Sequence, residues 1–173
     1  MSKIWYLLKC PEGNELDYIK KCQEIAEEKG FQEIIHFQYK RMMRYGGSWH
    51  LEKSSLLPGY IFLSRTEKTT LGKQGRRIVK DGVHRINMEE KEFFMRPCEI
   101  PYLKMLCPDG CLIDLSRGII KNGILVVTEG PLKGYERFIK KIDRHKRIAE
   151  LSIPFGEKTM AVTVGLEVYR REM

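Results

Sequence analysis

The chain has 173 residues, 42% of them hydrophobic, enough to bury a sizeable core as one large domain or two small ones, which excludes a disordered chain. Lys and Arg number 31 against 23 Asp and Glu, a formal net charge of +8, so an acidic polymer or surface is the expected partner, nucleic acid first. The apolar run IWYLL is too short for the core of a signal peptide and no stretch approaches a membrane span, so the expectation is a soluble, cytoplasmic protein with no membrane partner.

The charge is uneven. Residues 115–173 hold 12 basic and 7 acidic side chains, a denser excess than in the rest of the chain. Five cysteines (Cys10, Cys22, Cys98, Cys107, Cys111) form an odd set without a disulfide rhythm, as expected of reduced thiols. Cys107 and Cys111 in CPDGC are the one close pair. A structural zinc needs four ligands, usually as two close pairs, and no second Cys or His pair appears, so no metal or other cofactor is expected.

In chain order, KIWYLLKC is apolar on both faces and short, which predicts a central strand broken by PEGN. Asn14 followed by Asp17 predicts a helix start, with Leu16, Ile19, Cys22 and Ala26 as its core face and Gly30 as terminator. FQEIIHFQYKRMM puts Phe31, Ile35, Phe37 and Tyr39 on one face of a strand, and LPGYIFLS is a second compact strand opened by Pro58. Between them RYGGSWHLEKSS reads as a hairpin loop. From Glu67 to Glu90 the glycines predict a short helix and a mobile loop, and EKEFF and IPYLKMLC predict helical turns closing a first domain.

From Gly123 the texture changes. ILVVTEG, a Gly-Pro turn, and the alternation Met160, Val162, Val164, Leu166, Val168 predict a small β-barrel. ERFIKKIDRHKRIAEL also fits a helix through Phe138, Ile142 and Ala149, but its isoleucines, its Asp-Arg-His-Lys turn and its flanking strands favour β. The expected organisation is therefore residues 1–106 as a first domain, 107–122 as a linker and 123–173 as the barrel.

The segment from Gly123 through VTEGPLKGYE to KKID resembles a KOW motif, and IWYLL with LPGYIFL resembles the WY and PGY segments of the NusG family of transcription factors. Their order and spacing cover nearly the whole chain. YGGSWHLEKS and DLSRGII look most like the specialised LoaP-type antiterminator paralogues. The resemblance implies an α+β chain: an N-terminal antiparallel sheet flanked by helices, then an SH3-like all-β barrel. It implies a monomer that docks on bacterial RNA polymerase through aromatics on the WY and PGY strands, here Trp5, Tyr6, Tyr60 and Phe62. Such paralogues act on selected operons, which implies a recruiting signal in nucleic acid, and the charge pattern points to nascent RNA, such as a leader hairpin, as that signal. Non-template DNA and other elongation factors complete the expected partners. The chain departs from the common KOW pattern at Arg137, where many members carry a second glycine.

Each feature has a plainer reading. Lys133, Arg137, Lys140, Lys141, Arg144, His145, Lys146 and Arg147 are the candidate RNA-binding residues, and most charge runs are merely solvated. Lys40, Arg41 and Arg44 are candidate DNA contacts, with Tyr45 or Trp49 to stack on bases, against a solvated hairpin. Trp5, Tyr60 and Phe62 taken singly read as core aromatics. The cysteines and the four histidines form no nucleophile elbow or paired motif and there is no phosphate-cradling Gly-Lys-Ser/Thr loop, so catalysis is not expected. The alternatives are a general elongation factor whose barrel binds proteins, and a ribosome-associated RNA-binding protein.

Overall fold

The computed structural model describes residues 3–29, 31–66, 84–88, 91–98, 100–108, 110–155 and 158–172. In chain order the elements are β1 (Lys3–Lys9), α1 (Glu15–Lys29), β2 (Glu33–Ile35), β3 (Gln38–Tyr45), β4 (Ser48–Ser55), β5 (Tyr60–Thr66), β6 (His84–Met88), β7 (Lys91–Cys98), α2 (Pro101–Leu106), β8 (Leu112–Ile113), β9 (Ser116–Lys121), β10 (Ile124–Glu129), a 3-10 turn (Glu136–Phe138), β11 (Ile139–Asp143), β12 (Ile148–Phe155) and β13 (Lys158–Glu172). The chain is mostly β and divides into two compact units, residues 1–36 with 57–100, and residues 37–56 with 101–173.

The first unit is an antiparallel sheet in the order β2-β5-β1-β7-β6. Alternation along β1 and β5 sends Tyr6, Leu8, Ile61 and Leu63 to one face, where they form a core with Cys22 of α1 and Phe31. Tyr6 meets Phe31 edge-on at 5.6 Å. Each such side chain contributes about 1.5–3 kcal/mol by leaving water. The helix begins where the sequence predicts, the Asn14 carbonyl accepting from Tyr18 N at 3.1 Å. Its inner face differs, however. Leu16 is 62% exposed, and the turn at Leu57–Tyr60 draws Glu15 inward instead, so the buried row runs Glu15, Tyr18, Ile19, Cys22. EKEFF, expected to be helical, lies largely in β7, where pairing of residues 91–94 with β6 overrides its local preference. The expected helix and loop over residues 67–90 fall outside the described residues except for β6.

The second unit begins with a hairpin. Gly46 and Gly47, at φ 58° and 80°, make the two-residue turn that joins β3 to β4 with matched twist. The expected long strand from Phe31 therefore breaks at His36–Phe37: β2 stays with β5, while β3 pairs with β4 and, in parallel, with β8. The hairpin's base is closed by Leu56 N donating to Phe37 O at 2.9 Å, and Gln38 N donates to Cys111 O at 2.8 Å. Phe37, Tyr39, Leu56, Leu103, Leu106 and Ile113 are buried there. The other sheet of this unit runs β10-β9-β13-β12-β11, antiparallel except for β13 with β9. Val127, Leu132, Ala149, Leu151, Ile153, Val162, Val164 and Leu166 are its buried residues, so the expected alternation from 160 to 168 is present, and 139–155 is β rather than helix. Residues 107–122, expected as a linker, contain β8 and β9. The Asn122-Gly123 turn, at φ 51° and 79°, makes residues 116–129 a hairpin instead.

Candidate nucleic-acid and protein-binding surfaces

In the first unit the Pro-Gly-Tyr segment is a turn before it is a surface. Tyr60 N donates to Leu57 O at 3.1 Å, with Pro58 and Gly59 at the two central positions, and Gly59 has φ 78°. A Cβ on Gly59 would lie 3.0 Å from the Cys10 carbonyl, and Cys10 N donates to Gly59 O at 2.8 Å. The Glu15 carboxylate accepts from Gly59 N at 2.7 Å. Burial works to raise the Glu15 pKa, yet backbone donors at Gly59, Glu15 and Gly13 outweigh it and hold the carboxyl below its usual range. The turn thereby fixes β5 against β1 with Trp5 opposite Ser64 and Leu7 opposite Phe62.

That register places Trp5, Phe62 and Tyr60 on the face opposite α1, and Tyr6 on the face toward it. Trp5 and Tyr60 retain exposed surface. Tyr6 and Phe62, expected in the same docking patch, are 1% and 0% exposed. They are structural aromatics, because a side chain without solvent-exposed area has no surface to offer a partner.

In the second unit the basic lobe runs from the Gly-Pro turn through the edge strand β11 to the turn after it. The Gly-Pro-x-x-Gly turn is anchored from inside, Leu132 being fully buried with its N–H donating to Ser116 Oγ at 3.0 Å, and it leaves Lys133 exposed. A bulge between Ile139 and Lys141 breaks the alternation of β11, so Lys140 and Lys141 are both exposed. Arg137 is exposed and its guanidinium lies 4.9 Å from the centre of the Phe138 ring. The Asp143 carboxylate accepts from Lys146 N at 2.9 Å and shapes the turn that exposes Arg144, His145 and Lys146. That donor, and the Lys146 charge, hold the Asp143 carboxyl below its usual range despite desolvation. Among the described residues, Lys133, Arg137, Lys140, Lys141, Arg144 and Lys146 make no ion pair.

Glu150 stands opposite Lys141 in the β11–β12 ladder, whereas other carboxylates of the unit are occupied elsewhere. Glu136 Oε1 accepts from Val127 N at 3.2 Å, Glu129 lies 3.7 Å from Arg117, and Glu167 holds both Arg117 and Arg147. Arg147 is thus set apart from the other expected RNA-binding residues. It sits at φ 52° at the end of the turn, pairs with Glu167, and lays its guanidinium 3.8 Å from the centre of the Trp49 ring on the hairpin. Nothing in the sequence marks two residues so far apart as partners.

The three expected DNA contacts separate. Lys40 Nζ is 3.0 Å from Asp114 Oδ2. Burial works to raise the Asp114 pKa, and the hydrogen bonds from Lys40 and Leu115 N bring it below its usual range. Arg41 is half-buried, and Arg44 is exposed. Of the two aromatics offered for stacking, Trp49 is covered by Arg147. Tyr45 is exposed, stacked on His50 at 3.8 Å and hydrogen-bonded to Glu52 at 2.6 Å.

The Cys107 thiol donates to Leu103 O at 3.0 Å, and burial pushes its pKa up to about 11, so it is a protonated core group at neutral pH. Among the described residues no group of three His, Cys, Asp or Glu side chains is placed to hold a metal ion, and no helix is long and apolar enough to cross a membrane. No protein-family model matches the chain, and no curated protein matches its sequence.

Proposed function

We propose that this chain is a transcription elongation and antitermination factor of the NusG type, with an N-terminal domain that docks on bacterial RNA polymerase and an SH3-like KOW barrel that holds nascent leader RNA. Six exposed cations between Lys133 and Lys146, none in an ion pair among the described residues, are the observation that carries the RNA half of the reading. The polymerase half rests on the resemblance, on the pairing of the IWYLL and PGY strands, and on the exposed area kept by Trp5 and Tyr60. No chemistry is performed. The factor acts by binding the elongating polymerase better than paused or terminating states, which shifts their populations.

The test is transcription through an intrinsic terminator downstream of the chain's own operon leader. Read-through should rise with the protein and fall back with Lys140→Gln and Lys141→Gln, while Tyr60→Ala should weaken co-purification with polymerase. Unchanged termination with the leader in place would overturn the reading.

A second reading has its own observation. Ile124 and Val126 of β10 are 68% and 42% exposed, and Ile124 lines a groove with Leu125, Ile139, Ile142 and Lys140. Such a surface fits a protein partner, as in a general elongation factor. Ile124→Ala would then weaken partner binding without adding a charge beside Lys140 and Lys141, which line the same groove.

A further inference from the structure

We propose that the β3–β4 hairpin is the second half of the RNA-binding surface, with Arg44 and Lys53 contacting phosphates of the same RNA stem held by the Asp143–Arg147 turn. The proposal rests on the reading that this turn binds RNA, and adds to it which residues of a distant segment take part.

Cross-strand pairing fixes what shares a face of the hairpin. Arg44 stands opposite Trp49, Met42 opposite Leu51 and Lys40 opposite Lys53, so these six point to one side, while Arg41, Met43, Tyr45, His50 and Glu52 point to the other. The first face carries three cations and no carboxylate. Lys40 is neutralised by Asp114, while Arg44 and Lys53 are exposed. This is also the face docked to the basic turn, because Trp49 lies beneath the Arg147 guanidinium and Glu167 holds Arg147 in place.

The join is close at a second point. A Cβ on Gly165 of β13 would lie 2.1 Å from the Lys40 carbonyl, so the hairpin backbone packs directly on the sheet that carries the turn. The hairpin is therefore fixed beside Arg144 and Lys146, and the cationic surface continues from the turn across Trp49 to Arg44. Arg44 and the Lys40–Lys53 pair are four residues apart along the strand, about 13 Å, too far to share one phosphate. Each cation should therefore displace its own counterion.

The test measures binding of a fluorescein-labelled RNA stem-loop to the full chain by anisotropy over a range of salt concentrations. Arg44→Gln with Lys53→Gln should reduce the slope of log K against log salt by about 1.8, roughly 0.9 for each lost contact. Lys53→Gln alone should remove about half of that, and Met43→Gln on the opposite face should change nothing. The Lys140→Gln, Lys141→Gln protein runs alongside. A loss of slope in both double variants supports the proposal. A loss with the lysine pair of β11 and none with the hairpin pair overturns it and leaves the basic edge as the RNA site. No loss with either removes the underlying reading as well. A hairpin effect confined to single-stranded DNA also overturns it, returning Arg44 to the role the sequence first assigned.

Discussion

Gly165→Ala is the sharpest test of the join between hairpin and sheet. Gly165 is paired with Ile148 in the β12–β13 ladder, buried, and has no left-handed backbone to excuse it, so its lack of a side chain is a packing requirement. The new methyl would meet the Lys40 carbonyl at 2.1 Å and Leu115 Cδ1 at 2.7 Å. Leu115 can rotate. Lys40 cannot move alone, because its backbone is held in the β3–β4 ladder, so the hairpin must withdraw by about an ångström or the ladder must distort. Overpacking of this kind costs about 1–3 kcal/mol. In a domain of this size each kilocalorie lowers the Tm by about 4–8 °C, so a fall of about 4–24 °C is expected. With Trp5→Phe as background, Trp49 becomes the sole tryptophan, and its emission should shift to the red in the folded variant as Arg147 lifts from its ring. A variant that melts within a degree or two of its parent, with unchanged Trp49 emission, would refute the direct packing of β3 on β13.

Three further outcomes follow from the geometry. Gly59→Ala places a Cβ 3.0 Å from the Cys10 carbonyl at φ 78°, and should destabilise the first unit by about 1–2 kcal/mol in urea unfolding, the cost of a left-handed backbone for an L-residue. Glu15 has its folded pKa held below its unfolded one, so its contribution is fully present above the unfolded value and is lost as pH falls through the folded value. Glu15→Gln should therefore cost stability at pH 7, and the gap from the parent should narrow below about pH 4, as read by thermal melts across pH. Trp49→Leu and Arg147→Met, alone and together, should show a coupling of about 0.5–2 kcal/mol in a double-mutant cycle, whereas additive losses would mean that the stacked contact contributes nothing.

Most individual strands were legible because period-two burial is written into the sequence: Tyr6 and Leu8, Ile61 and Leu63, and Val162, Val164 and Leu166 alternate as their strands require. The assembly was less so. EKEFF carries charges and aromatics that suit a helical turn equally well, and only its pairing with β6 decides it. The expected linker hid a plain signal, since Asn122-Gly123 between apolar runs marks a two-residue hairpin turn and makes 116–121 a strand. The allegiance of the β3–β4 hairpin was not legible at all. It depends on the parallel pairing of Gln38 with Leu112 and Tyr39 with Ile113, segments more than seventy residues apart that no local pattern encodes.

The charges show the same division. Counting residues 115–173 gives 12 basic and 7 acidic side chains, an excess that says nothing about where a phosphate would feel it. Among the described residues the fold ties down most of the carboxylates, Glu150 opposite Lys141 being the exception. Glu136 bonds a backbone N–H of β10, Glu167 holds Arg117 and Arg147, Glu172 pairs with Arg170, and Asp143 bonds the backbone inside its own turn. These carboxylates are held at fixed partners. Arg137, Lys140, Lys141, Arg144 and Lys146 make no ion pair among the described residues. Screening at physiological salt acts over about 8 Å, so a phosphate at the β11 edge is governed by its nearest charges rather than by the net count. It is this fixing of carboxylates, more than the total of +8, that makes one edge of the second unit a phosphate-binding surface.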